Sequence, residues 1–173
     1  MDVGEFTAFF KATAPPLLRY VARMSDVDVA QDIVADTMTT MWTKNLDGPN
    51  SEEDLRKLQG LAFRIADGHL LNHRRGDQRR NRLVGKVTRT VAARTEIQPD
   101  FSTTLHAEAV VLERLSTLST TDREIIALIM DGFSMTEISV ILDCSLSATK
   151  MRIFRARKQL RDTLAREASH VDE

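Results

Sequence analysis

Between Gly132 and Leu164 two runs of helically spaced apolar residues flank a short turn, and few folds accommodate that arrangement. Asp131-Gly132 reads as a helix stop, Ser134 is placed to cap a short helix Met135–Leu142, Asp143–Leu146 forms the turn, and a second helix begins near Ser147. In that second helix Thr149, Ile153, Ala156, Leu160 and Leu164 follow at intervals of 4, 3, 4 and 4, so they line one face and must pack on earlier helices. At about 100° per residue the opposite face carries Ser147, Met151, Phe154 and Lys158, flanked by Lys150, Arg155 and Arg161. Two short helices around a tight turn form the unit that lays its second helix in a DNA major groove. The first turn of that face should then reach base edges, and the later Arg and Lys should meet phosphates. Arg152 and Arg157 lie nearer the core boundary, where pairing with an acid such as Glu124 or Glu137 competes with a DNA contact.

The rest of the chain has the same helical period and no strand-like alternation, so the expected class is all-α, with two small helical domains. Ile33, Val34, Met38, Met41 and Trp42 recur at helical spacing, as do Leu55, Leu58, Ala62 and Ile65. Ser25/Asp28, Ser51/Asp54, Ser119/Asp122 and Ser134/Glu137 are candidate capping boxes. Pro15-Pro16 should interrupt the N-terminal helix, and Pro49 sits in a turn spanning 45–50. The polar stretch around Pro99 divides the chain into a first domain, 1–94, a linker, 95–106, and a second domain, 107–173.

Charge is arranged in blocks beneath a net value of −1. Residues 61–94 carry 9 basic and 2 acidic side chains, and residues 150–161 carry 6 and 0; both blocks sit on an otherwise acidic chain. Two separate basic surfaces imply two separate encounters with phosphate. In the first of them, residues 61–82 cluster Arg and His beside polar amides, a mixture suited to a single strand, where phosphates are neutralised and an unstacked base is held. Phe63, the one aromatic residue in that helix, is expected in the core. Ahead of it, Asp28, Asp32, Asp36, Thr39 and Thr40 line the side of a helix opposite its apolar residues; an acidic stripe repels DNA and suits a basic protein surface.

These stretches carry a family resemblance. Ser119–Glu124, Asp131–Ile138 and Arg152–Arg157, within Leu118–Leu160, resemble region four of extracytoplasmic-function sigma factors, which binds the minus-thirty-five promoter element. Ala30–Trp42 is similar to the family's region two helix that docks on the polymerase clamp, and 61–82 to its promoter-melting, minus-ten-reading segment. The resemblance covers roughly residues 5–80 and 107–165, and differs from the family pattern at Ala35, Asp67-Gly68, Asn72 and Ala148-Thr149. It implies minus-thirty-five contacts from Ser147, Lys150, Met151, Phe154, Arg155 and Lys158. It implies minus-ten and melting contacts from Arg64, Asn72, His73, Arg74, Arg75, Arg79 and Arg80, and polymerase docking through Asp32, Ala35, Asp36, Thr39 and Thr40. The partners implied are core RNA polymerase, at its clamp and flap, promoter DNA in duplex and single-stranded form, and an anti-sigma factor.

Other classes find little support. No apolar run approaches the roughly 20 residues of a membrane helix, and the acidic N-terminus is unlike a signal peptide, so a cytoplasmic protein without membrane insertion is expected. The single cysteine, Cys144, falls in the turn and has no internal partner; His69 and His73 lack further metal ligands and neighbour two arginines. No catalytic constellation can be assembled, so neither cofactor nor enzymatic chemistry is expected. Two alternatives stand beside the sigma-factor reading: an autonomous dimeric helix-turn-helix regulator, and a module that binds only protein. Neither needs the second basic block at 74–82.

Overall fold

The computed structural model describes residues 1–84, 115 and 117–171, which form helices joined by turns and short irregular segments, with no strand among them. The chain divides into two compact units, Met1–Gln98 and Pro99–Glu173. The linker expected at 95–106 lies outside the described residues.

The first unit is a bundle of α1 (Val3–Ala22), α2 (Val27–Thr43) and α3 (Glu52–Val84), each packed on the other two. Asp2 starts α1 with a full capping box: Glu5 N donates to Asp2 Oδ1 at 2.8 Å, and Asp2 N donates to Glu5 Oε2 at 2.8 Å. Contrary to expectation, Pro15 and Pro16 lie inside α1 without ending it. The amide missing at Pro16 is the one that would bond the Ala12 carbonyl, and Gln59 Nε2 of α3 donates to that oxygen at 3.4 Å. Packing thus replaces part of what proline removes.

Phe9, Leu17, Tyr20 and Val21 of α1 meet Ile33, Val34, Met38 and Met41 of α2 and Ala62, Phe63, Ala66 and Leu70 of α3 in the core. Phe63 is in the core, as expected, with its ring centroid 5.2 Å from that of Tyr20. Leu55, Leu58 and Ile65 are only half-buried, so the seam of α3 runs one residue away from part of the predicted face. Ser25 does not cap α2: its hydroxyl turns back to donate to Val21 O at 3.0 Å, and Asp26 holds the cap position without a side-chain bond.

The second unit contains α4 (Thr120–Met130), α5 (Met135–Ile141) and α6 (Leu146–Val171). Ser119 Oγ accepts from Asp122 N at the start of α4, and Gly132, at φ 78°, supplies the left-handed residue that turns the chain toward α5. Ser134 and Glu137 form the predicted capping box, with bonds of 2.7 and 3.3 Å. At Ser51 and Ser119 the serine caps the first-turn amide, but its hydroxyl bonds the acid's carboxylate, so those boxes are only half made. The turn between α5 and α6 passes through Asp143 at φ 48°, and α6 begins one residue earlier than predicted, where Ser145 Oγ accepts from Ala148 N at 3.1 Å.

Leu115, Leu118, Ile126 and Ala156 form a buried cluster with Ile129 and Leu160 against it, and Ile153 and Thr149 continue the buried face of α6. Leu164 leaves that face: at 39% exposure it lies beyond the core. Gln159 Nε2 donates to Thr117 O at 2.8 Å and Arg123 Nε to Leu115 O at 3.0 Å, which fixes the segment before α4 to both helices.

Candidate nucleic-acid and polymerase interfaces

Three helix faces carry the candidate residues. On α2, Asp28, Asp32, Ala35, Asp36 and Thr39 are exposed, while Thr40 is half-buried and its hydroxyl donates to Asp36 O at 2.8 Å. The buried side of the same helix is Ala30, Ile33, Val34, Thr37, Met38 and Met41. Trp42 departs from the apolar face assigned to it. It is 44% exposed and packs edge-on against Phe6 of α1, ring centroids 4.9 Å apart. The intervals Asp28, Asp32, Ala35, Thr39, Trp42 are 4, 3, 4 and 3, so the indole closes the C-terminal end of the exposed stripe. That spacing was the available signal, and an aromatic side chain beside Met41 masked it.

On α3 the seven predicted residues separate. Arg64, Asn72, Arg75 and Arg79 are exposed and, at about 100° per residue, share one side of the helix with Gly68 and Leu71. Arg74 and His73 are half-buried. His73 Nδ1 lies 3.1 Å from Asp77 Oδ2, and Arg80 Nη2 lies 2.5 Å from Asp77 Oδ1. Asp77 therefore draws His73 and Arg80 to the other side of the helix, away from the arginine row. Asp67, read as a departure from the family pattern, faces inward and accepts from the buried Tyr20 hydroxyl at 3.3 Å, tying α3 to α1. Next to it, a side chain at Gly68 would meet nothing within 4 Å, so the outer face of α3 is open there.

The α6 face is continuous. Ser147, Lys150, Met151, Phe154, Arg155, Lys158 and Arg161 are all exposed, Arg157 is exposed, and Arg152 is half-buried. Opposite them the Thr149 hydroxyl donates to Ser145 O at 3.1 Å and lies 3.2 Å from Cys144 Sγ, so the cysteine is occupied with the N-terminal end of this helix. Among the described residues no cluster of His, Cys, Asp and Glu could hold a metal, and no helix is long and apolar enough to cross a membrane.

In chain order a three-helix bundle precedes a helix-turn-helix unit, and each carries its own basic face, the organisation that the sigma-70 resemblance implies. Residues 109–160 match the family described as Sigma-70, region 4. The sigma factor RpoE of Bartonella quintana, solved in complex with the anti-sigma factor NepR, is similar over 94% of this chain and 98% of that chain, with 26% identity and a TM-score of 0.75. CnrH, solved with the cytosolic domain of CnrY, shares the fold over 94% of this chain and 86% of that chain, with 22% identity and a TM-score of 0.56. No curated protein matches by sequence. Over residues 109–160 the chain thus matches the sigma-70 region 4 family, and in fold it is similar to sigma factors of known structure. That family is not one of enzymes.

Proposed function

We propose that the chain is an alternative sigma factor of the extracytoplasmic-function group, and that it docks on the clamp of core RNA polymerase through the exposed side of α2, with Asp32, Ala35, Asp36, Thr39 and Thr40 at its centre. The α3 row of Arg64, Asn72, Arg75 and Arg79 holds the opened minus-ten strand, with His73, Arg74 and Arg80 beside it. Ser147, Lys150, Met151, Phe154, Arg155 and Lys158 of α6 read the minus-thirty-five element near the polymerase flap. Its place is the cytoplasm. An anti-sigma factor is the expected inhibitor, since the RpoE neighbour was solved with one.

The observation that supports this reading most is the separation of surfaces: two basic faces on different units and an acidic face on α2. DNA neutralises the first two and repels the third, which leaves α2 for a basic protein surface. A dimeric regulator needs only the α6 face. The test is co-purification with core polymerase of the wild type and of a variant carrying both Asp32→Lys and Asp36→Lys. Both residues point away from the bundle, so the variant should keep its helicity and lose holoenzyme assembly. Normal assembly by the folded variant would move the docking face elsewhere.

A further inference from the structure

We propose that Met151 and Phe154 read the 5-methyl groups of two thymines in the upstream promoter element, so that thymine is required at the base pairs they face. This rests on the assignment of α6 to that element. Both side chains are 59% exposed and stand three residues apart at the centre of the helix's outer face. Their neighbours on that face, Lys150, Arg155 and Lys158, are cationic, so the occupant that the face attracts is a polyanion.

A phenyl ring and a thioether offer a base edge almost no hydrogen bonding, and so cannot recognise guanine, adenine or cytosine by their donors and acceptors. Only one feature of the major-groove floor is apolar, the thymine methyl group, and apolar side chains meet it. On the DNA these two side chains would leave water against that group, whereas opposite any other base they would desolvate polar edges without replacing their hydrogen bonds to water. Three residues of helix advance by about 4.5 Å and one base step by about 3.4 Å, so the two thymines belong to neighbouring steps.

The experiment uses holoenzyme reconstituted from the full chain and core polymerase. A promoter library randomised upstream gives the preferred element, and each thymine in it is then replaced singly by deoxyuridine, which removes the methyl group and nothing else. At two neighbouring steps the wild type should lose about fourfold in promoter affinity, the effect of one apolar methyl contact. Met151→Ala should become insensitive to uracil at one of them and Phe154→Ala at the other, while Met151→Leu should keep the wild-type sensitivity. The proposal is overturned if the selected element lacks thymine there, if uracil is tolerated throughout, or if both alanine variants retain wild-type sensitivity. It is also overturned if the two alanine variants change only capture of an acidic protein partner, because the apolar pair would then belong to a protein interface. A library with no upstream preference at all would remove the assignment of α6 itself, a different result from a preference without methyl dependence.

Discussion

The outer faces of α3 and α6 are both basic, yet they are supported differently. α6 is seated on its core by Thr149, Ile153, Ala156 and Leu160, the whole length of its candidate face. In α3 the last buried residue among those whose side chains are described is Leu70, and Asn72, Arg75 and Arg79 follow it along a helix of 33 residues, about 50 Å long. A helix clamped along its length holds side chains in a fixed register, which reading base edges requires. Cations spread along a less buried helix suit phosphates, whose recognition tolerates small displacements. The composition of the faces agrees: α6 places Met151 and Phe154 between its cations, whereas among the described residues the one exposed large apolar side chain on the α3 row is Leu71.

The largest effect expected from breaking this contrast comes from the support of α6. Ile153→Ala leaves a cavity against a closely packed face and should cost about 2–5 kcal/mol. In thermal denaturation followed by circular dichroism, the second unit should melt early while the first keeps its transition. The corresponding destabilisation from Leu70→Ala should instead fall on the first unit.

Next come the cations. Arg75→Ala with Arg79→Ala should weaken every promoter alike and reduce the salt slope of promoter binding by roughly 1.4, about 0.7 for each single-strand phosphate that is no longer neutralised. Lys150→Ala should instead change which upstream elements are selected. A reshuffled upstream preference from the α3 pair would erase the distinction between the two faces.

Smaller effects test how each unit is tied together. Ser134→Ala removes the cap that starts α5 and should cost about 1 kcal/mol, read as a shift in the denaturant midpoint of the second unit. Tyr20→Phe deletes the hydroxyl that donates to Asp67, and a destabilisation of about 0.5–1.5 kcal/mol should appear in the first unit alone.

How legible these features are in the sequence follows from the distance over which each is decided. The helix-turn-helix, the buried face of α6 through Leu160 and the Ser134 box rest on contacts a few residues apart, and period and capping chemistry declare them. The Ala12 carbonyl that Pro16 leaves without its helical donor is met by Gln59, 47 residues beyond it, and Asp67 is explained by Tyr20 at the same separation. No local pattern contains those partners. Trp42 is a different case: its spacing from Asp28, Asp32, Ala35 and Thr39 predicts exposure, and hydrophobicity argued the other way. The division of the α3 residues was equally available, since Asp77 lies four positions after His73 and three before Arg80.

Polymerase dependence of DNA selection tests the central claim most directly. The measurement is binding of a labelled duplex promoter library by the purified chain, with and without core polymerase, in ~0.15 M salt. Alone, the acidic stretches around each basic face should keep binding weak and unselective; with core polymerase, elements upstream and at the melting site should be selected together. Nanomolar, sequence-specific binding by the chain alone would contradict the account and return the protein to the autonomous regulators.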